Sequence, residues 1–270
     1  MDLEVVPGSG VVATRIFPPQ GVCATVGPDG DCADVGATVA QYEGGPVTPD
    51  ATVIAAMRPE LEGVEQWRAD SLGIVLETPL ERRADGLESP LGNLFADALL
   101  AAVPDAEVAI GLGARRGGLR TGLPAGPLTR GPLYDAFPFD NRVVTLTLTG
   151  DELERVLTRA AGRTWSGLPS VSGVRVRVTC AAGGPEIEVL RSSGQPIAPD
   201  EPIVVAATDF FGRRLRLGAE VPATELPSAP MVRDAAADWL SARGGRVYAA
   251  DFRHPPRWEP LDGGACLAAN

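Results

Sequence analysis

The sequence predicts a protein of the α+β class. Short apolar runs typical of strands are mixed with segments of helical periodicity, without the regular strand–helix–strand alternation of a parallel sheet. Hydrophobic residues make up 44% of the 270 residues, which is enough to bury a sizeable core. The 32 glycines and 25 prolines indicate many turns, and the abundant apolar residues argue against disorder.

The first part of the chain predicts a β-rich segment followed by a helix. Residues 1–48 contain β-like runs at 10–17 and 36–42, and we interpret them as the remnant of an upstream β-rich domain. Residues 49–70 predict an amphipathic linker helix, because apolar side chains recur there at spacings of three and four. Pro59 lies inside this pattern and is expected to bend or restart the helix.

Residues 71–270 predict one mixed domain. Ser89 followed by Pro90 indicates a helix start, since the hydroxyl can cap the helix and proline suits its first position. Another helix is expected to begin at Gly150, where two acidic residues follow at the positive end of the helix dipole. The predicted strands span 72–77, 106–110, 142–148, 174–179, 186–190 and 202–208, the helix from Pro90 runs to about residue 103, and a closing helix spans 229–242.

The charge of the chain argues against one class of partner. All 24 basic residues are Arg, 35 residues are acidic, and the net charge is −11 without a basic stripe. We therefore expect no duplex nucleic acid as a partner. No apolar run reaches the roughly eighteen residues of a transmembrane helix, and the first residues lack a signal-peptide pattern. These observations indicate either a cytosolic protein or an excised fragment.

The four cysteines favour an exported protein. No two of the cysteines form a C-x-x-C pair, which argues against a structural zinc site. The four are Cys23, Cys32, Cys180 and Cys266. Cys23 and Cys32 flank a turn-rich stretch that a disulfide could close, and the other two could form a second bridge. Disulfides would indicate an extracellular, periplasmic or cell-surface protein. The alternative is four unlinked, buried thiols.

The chain lacks the residues for hydrolysis by itself. A dinuclear phosphatase needs several histidines among its metal ligands, and His254 is the only histidine. The same shortage argues against Ser-His and Cys-His catalysis. The glycine-rich stretch 111–126 imitates a dinucleotide fingerprint, but Arg116 replaces the third glycine and the following glycines oppose the required helix. We expect no metal or other cofactor in this chain.

Two segments resemble a known family. The first is Glu88-Ser-Pro-Leu-Gly-Asn-Leu-Phe-Ala-Asp-Ala98, and the second runs from Asp135 to Leu153 as loop, strand and helix start. Both are similar to the C-terminal domain of the 5'-nucleotidase family. The resemblance implies a layered α/β/β/α domain that grips the nucleoside. It also implies an upstream metallophosphatase domain in the same protein, in which two divalent metals carry out the hydrolysis.

The resemblance further implies which residues bind the base. Phe139 and Phe211 match two aromatic rings that enclose it, with Phe210 as the alternative second ring. Asn141 matches a polar neighbour of the first ring. Stacking between rings suits any flat base. The alternative interpretation is that these phenylalanines fill the core.

Arginines complete the implied site. Arg116 matches an Arg at the end of a glycine-rich loop that contacts the anionic side of the ligand, for which a guanidinium fork is well suited. Arg83, or the adjacent Arg82, lies close to the position at which the family has an Arg that faces the substrate. The alternative interpretation is a run of solvated charged residues. After Phe211, residues 212–218 depart from the Gly-Gly-Asp-Gly-Tyr-like loop whose acid holds the sugar.

The sequence therefore predicts a nucleotide- or nucleoside-binding domain of an exported 5'-nucleotidase-like phosphohydrolase. The chain would not be catalytic alone, and phosphoric monoester hydrolysis would belong to the parent protein. The competing hypothesis is a degenerate domain that acts as a structural or protein-interaction module at the cell surface. The altered loop after Phe211 favours this second hypothesis.

Overall fold

A computed structural model of the chain describes residues 2–16, 25–26, 38–42, 44–82, 87–111, 118–161, 168–211, 224–225 and 230–267. The chain divides into two compact units, Met1–Val64 and Glu65–Asn270. Within the described ranges, no helix is both long and apolar enough to cross a membrane.

The first unit consists of short β-ribbons and most of one helix. Strands β1 (Asp2–Val6) and β2 (Gly10–Arg15) form an antiparallel hairpin, so the strand predicted from Gly10 is observed. Two further ribbons are formed by pairs of two-residue strands, namely β3 (Thr25–Val26) with β4 (Thr38–Val39), and β5 (Gln41–Tyr42) with β6 (Gly45–Pro46).

Helix α1 spans Ala51–Ala69 and continues through Pro59 without a restart. Its start is capped by Asp50, whose carboxylate accepts hydrogen bonds from the backbone N–H of Thr52 at 2.8 Å and of Val53 at 3.1 Å. These hydrogen bonds lower the pKa of Asp50, and the bond from Val53 has the larger effect. The apolar face that predicted the helix is 40–54% exposed at Val53, Ile54, Met57, Leu61 and Val64.

The second unit contains most of the regular structure. In chain order its strands are β7 (Ser71–Leu76), β8 (Val108–Ile110), β9 (Gly126–Thr129), β10 (Val143–Thr149), β11 (Val171–Ser172), β12 (Val174–Ala181), β13 (Gly184–Arg191), β14 (Pro202–Thr208), β15 (Thr224–Glu225), β16 (Gly245–Val247) and β17 (Trp258–Pro260). Its helices are α2 (Pro90–Ala101), α3 (Arg130–Ala136), α4 (Gly150–Ala161) and α5 (Val232–Arg243), followed by a 3-10 turn at Ala249–Phe252. Residues 209–211, directly after β14, are also helical.

A five-stranded mixed sheet lies at the centre of this unit, in the order β11-β8-β14-β10-β15. Strand β14 is parallel to β8, with Ala207 opposite Ile110, and antiparallel to β10, with Thr208 opposite Val143. One edge of the sheet, at the ends of its strands, therefore contains the last residues of β8 and β14 and the first residues of β10. The loops attached there are brought together by this pairing.

The central sheet separates two hydrophobic cores. Side chains of successive strand residues point to opposite faces of a sheet. Accordingly, Ala206 belongs to a core formed with α2, α5 and β7, whereas Val205 and Ala207 belong to a core formed with α4, β12 and Trp258. This arrangement of helices and mixed sheets confirms the predicted α+β class.

Two three-stranded sheets complete the unit. Strand β12 pairs antiparallel with β13 and parallel with β17, where Val176 lies opposite Trp258. Strand β7 pairs antiparallel with β9 and parallel with β16. The last part of the chain thus supplies an edge strand to each of these sheets.

Helix α3 is a short helix that the sequence did not predict. Its first turn contains Gly131, and glycine lowers helix propensity. Tertiary packing explains the glycine, because a Cβ at Gly131 would lie 3.1 Å from the backbone oxygen of Arg68. The predicted helix start at Ser89 is confirmed, since its side chain accepts a hydrogen bond from the N–H of Gly92.

Cys180 and Cys266 form a disulfide with a Cα–Cα distance of 5.4 Å. The pairing predicted for these two residues is confirmed. It ties the end of β12 to the segment after β17. Cys23 and Cys32, predicted as the other pair, lie outside the described residues.

Candidate functional site

The loops that carry the predicted aromatic residues meet at one edge of the central sheet. Phe139 lies between α3 and β10, and Phe210 and Phe211 directly follow β14, where residues 209–211 are helical and begin the connection that leaves the sheet. Because Val143 and Thr208 are opposite each other in the β10–β14 pair, both loops leave the sheet side by side. The fold therefore brings together two chain segments that are far apart in sequence.

A direct hydrogen bond joins these two loops. The side-chain nitrogen of Asn141 donates to Oδ1 of Asp209 over 2.7 Å. The backbone N–H of Arg142 approaches the same oxygen at 3.3 Å, and the N–H of Asp209 donates to the carbonyl of Arg142 at 2.9 Å. Since a carboxylate only accepts hydrogen bonds, Asp209 fixes the amide of Asn141 with its nitrogen towards the second loop.

Phe139 is half-buried against the first core. Its ring packs edge-on against Phe137, with the centroids 5.4 Å apart, and Phe137 in turn contacts Phe95. The guanidinium carbon of Arg120 lies 4.7 Å from the Phe139 centroid. A cation over an aromatic face is attracted by the ring quadrupole. The site therefore combines an anchored aromatic ring with an adjacent positive charge.

The two candidates for the second ring occupy different environments. Phe211 is partly buried against the second core, and its N–H donates to the side-chain oxygen of Thr208 at 3.0 Å. Phe210 is 40% exposed. The two adjacent phenylalanines therefore differ, since Phe211 packs against the second core and Phe210 is exposed.

Two of the arginines expected in the site, Arg116 and Arg83, lie outside the described residues. Their neighbours Arg120 and Arg82 are described. Nη1 of Arg82 donates to the carbonyl of Leu119 at 3.2 Å, and the N–H of Arg120 donates to the carbonyl of Ala136 at 2.8 Å. Both bonds hold the peptide group between Leu119 and Arg120, and the second joins it to Ala136, the last residue of α3.

A short antiparallel contact supports the same segment. Leu80 and Leu123 exchange two backbone hydrogen bonds of 2.9 Å, and both side chains are buried. Gly122 allows this approach, since a Cβ there would lie 2.8 Å from the oxygen of Leu80. Sequence reasoning missed Arg120. No local signal in Gly118-Leu119-Arg120 marks it, because the contact of Arg120 with Phe139 is tertiary.

The Glu88–Ala98 motif has a different role, because its polar residues hold the C-terminal segment. The Glu88 carboxylate accepts hydrogen bonds from the backbone N–H of Arg257 at 2.6 Å and of Trp258 at 2.7 Å. It also accepts one from the side chain of Asn93 at 2.7 Å, and Asn93 donates to the carbonyl of Phe252 at 2.8 Å. In these contacts the Glu88–Ala98 motif, which carried the resemblance, therefore has a structural role.

Asp97 extends this network to a cleft of about 400 Å³. Its carboxylate accepts hydrogen bonds from Ser172 at 2.6 Å and from Nη2 of Arg257 at 2.8 Å. His254 and Arg175 also line the cleft. In the described part of the chain, no group of three or more His, Cys, Asp or Glu side chains is placed to hold a metal ion.

Two curated proteins are similar in sequence to part of this chain. Endonuclease YhcR of Bacillus subtilis (strain 168) is 29% identical over 124 residues, which are 46% of this chain and 10% of the relative. The trifunctional nucleotide phosphoesterase protein YfkN of the same organism is 26% identical over 162 residues, which are 57% of this chain and 11% of the relative. The chain thus spans about a tenth of the length of these relatives.

A solved structure shares the fold. The 5'-nucleotidase precursor from Thermus thermophilus superimposes with a TM-score of 0.63 at 22% identity, over 80% of this chain and 44% of that chain. A model of the family described as "5'-nucleotidase, C-terminal domain" matches residues 70–214. Since this match covers more than half of the 270 residues, the chain belongs to the 5'-nucleotidase C-terminal domain family.

Proposed function

We propose that this chain is the nucleotide- or nucleoside-binding domain of an exported 5'-nucleotidase-like phosphohydrolase, and that it is not catalytic by itself. The observation that carries the proposal is the convergence of the Phe139 and Phe211 loops at one sheet edge, joined by the Asn141–Asp209 hydrogen bond. A flat base can bind between rings presented by two such loops.

Each side chain of the site has a role in this proposal. Phe139 and Phe211 enclose the base, with Phe210 as the alternative second ring, and Asn141 contacts the base edge. Arg120 is near enough to Phe139 to meet the anionic side of the same ligand, at 4.7 Å from the ring centroid. Arg116 and Arg83 remain candidates for that side on the strength of the family resemblance.

Hydrolysis requires chemistry that the proposal assigns to another domain. An upstream metallophosphatase domain in the same protein would bind two divalent metals, which activate water and neutralise the phosphoryl oxygens. The chain corresponds to only 44% of the length of the Thermus protein, which leaves room in that protein for such a domain. The name of YfkN, a nucleotide phosphoesterase, supports the same class of substrate.

Two observations support export. The Cys180–Cys266 disulfide is of a kind that persists in oxidising compartments. The Thermus relative is described as a precursor. We therefore propose an extracellular, periplasmic or cell-surface location.

Calorimetric titration with adenosine, AMP and ribose 5-phosphate, without added metal, tests the binding function. We expect heat with adenosine and AMP but not with ribose 5-phosphate, because the base supplies the stacking surface. Phe139→Ala should abolish this heat and keep the fold. Tyr248→Ala is the matched control, since Tyr248 is also a partly exposed aromatic residue but lies beside β16, in another sheet.

The second candidate function is a structural or protein-interaction module. It is favoured by the departure of residues 212–218 from the family pattern that holds the sugar. An absence of heat with both adenosine and AMP would support this module and reject the nucleoside-binding domain.

A further inference from the structure

Arg233, in the first turn of α5, makes a concentrated set of contacts with the Phe139 loop. Its Nη1 donates to the carbonyl of Phe139 at 2.9 Å, and its Nη2 donates to Oδ1 of Asp140 at 2.7 Å. The guanidinium carbon lies 5.1 Å from the ring centroid of Tyr134. The side chain of Arg233 is only 13% exposed. One arginine thus holds the backbone and side chain of two consecutive loop residues.

The chemistry of arginine suits this task. Its planar fork can donate to two acceptors at once and keeps its charge at any working pH. The carbonyl of Phe139 and the carboxylate of Asp140 provide two such acceptors. A lysine in the same place would offer a single ammonium group without the fixed fork. The two hydrogen bonds of Arg233 therefore fix the direction of the backbone at Phe139.

Backbone bonds extend the same attachment along the loop. The N–H of Val232 donates to the carbonyl of Asn141 at 2.9 Å, and the N–H of Val143 donates to the carbonyl of Pro230 at 3.1 Å. The loop is therefore fastened to the start of α5 over several consecutive residues. Asn141 passes this constraint to the second aromatic loop through its bond to Asp209.

We propose that Arg233 is a positioning residue for base recognition, which holds Phe139 in the orientation that stacks on the ligand. This role rests on the proposed nucleoside-binding function. Arg233 acts through Phe139 and needs no contact with the ligand itself. A ring that is held before binding loses less conformational freedom on binding. The contacts of Arg233 with the Phe139 loop should therefore increase the affinity for the ligand.

Fluorine NMR on the whole chain, with its seven phenylalanines replaced by 4-fluorophenylalanine, tests this proposal directly. The Phe139 signal is assigned as the one lost in Phe139→Leu. We expect Arg233→Met to shift or broaden that signal and to weaken adenosine binding about tenfold. Arg233→Lys should give an intermediate loss of affinity. A structural role alone would lower the unfolding temperature and leave the adenosine affinity of the folded chain unchanged.

Arg243→Met is the matched control. Arg243 lies on the same helix, its guanidinium carbon is 5.7 Å from the Trp239 ring centroid, and it forms an ion pair with Asp251. This variant should change neither the Phe139 signal nor the affinity. If Arg233→Met prevents folding, Asp140→Ala tests the same anchor, because the Asp140 side chain is 78% exposed and its loss should be tolerated.

The outcomes separate this proposal from the function on which it rests. An unchanged Phe139 signal and unchanged affinity in Arg233→Met, or in Asp140→Ala, would overturn the positioning role. A wild-type chain that binds no adenosine would overturn the proposed function. If its Phe139 signal still moved in Arg233→Met, the anchoring of the ring by Arg233 would be supported independently.

Discussion

Asn141 and Asp209 lie at the ends of two adjacent antiparallel strands, and their side chains are hydrogen-bonded over 2.7 Å. The bond joins the loop of Phe139 to the residue that precedes Phe210 and Phe211. It orients the amide of Asn141, because a carboxylate only accepts hydrogen bonds and the Asn side chain donates only through its nitrogen. One polar pair therefore sets the relative position of both aromatic loops.

Removing the acceptor should loosen this arrangement. We expect Asp209→Ala to weaken adenosine binding by about fivefold, which corresponds to about 1 kcal/mol for a typical hydrogen bond. Asn141→Ala should weaken binding at least as much. In a double-mutant cycle measured by titration calorimetry, the two losses should be clearly non-additive. Strict additivity would mean that the residues act on the ligand independently.

The close approach at Gly122 predicts a cost in stability. Gly122→Ala would place a Cβ 2.8 Å from the backbone oxygen of Leu80, so the Leu80–Leu123 contact must shift. We expect a loss of about 1–3 kcal/mol in the free energy of unfolding, measured in urea. Gly183→Ala is the control, since no atom lies within 4 Å of its added Cβ. Equal stabilities of the two variants would contradict this prediction.

Glu88 should contribute to stability without contributing to binding. Glu88→Gln replaces one of the carboxylate oxygens with a donor, which would face the N–H groups of Arg257 and Trp258 or the side chain of Asn93. We expect the free energy of unfolding to fall by about 2 kcal/mol, because a buried donor loses its charged partner. Adenosine affinity should stay within about twofold of wild type. A large loss of affinity at unchanged stability would instead place Glu88 in the binding site.

The Arg68–Asp135 ion pair predicts a defined pH dependence. Two hydrogen bonds, of 2.9 and 2.6 Å, lower the pKa of Asp135 from its ordinary value of 3.8. A carboxyl whose pKa is lower in the folded chain stabilises the fold above its unfolded pKa and loses this effect as the pH falls through the folded value.

Melting temperatures of wild type and Asp135→Asn should therefore differ by a constant amount between about pH 6 and 8. The difference should shrink as the pH falls below about 4 and the carboxyl becomes protonated. Arg68→Met, which removes the other partner, should show the same profile. A difference that grows in acid would contradict the sign of this linkage.

Local signals predicted much of the fold. The capping of α2 by Ser89, the strand from Val143 and the Cys180–Cys266 pair were all evident in the sequence and are present in the structure. Each depends on neighbouring residues or on the even count of cysteines. Helix α3 was missed, because Gly131 is selected by packing against Arg68 and not by helix propensity.

The site was predicted less completely than the fold. Phe139 and Asn141 stand in a recognisable motif, and the structure places their loop beside that of Phe211. Whether they bind a base stays a prediction. Arg120 and Arg233 could not be found in the same way, because their importance arises from tertiary contacts with Phe139. Likewise, the role of Glu88 depends on Trp258, far along the chain.

The parallel pairing of β17 with β12 has a consequence for the biosynthesis of this domain. Trp258 fills the second core and Val176 lies opposite it, so that core is incomplete until Trp258 has been made. The nascent chain cannot reach its native packing while ribosomes are still translating the preceding residues.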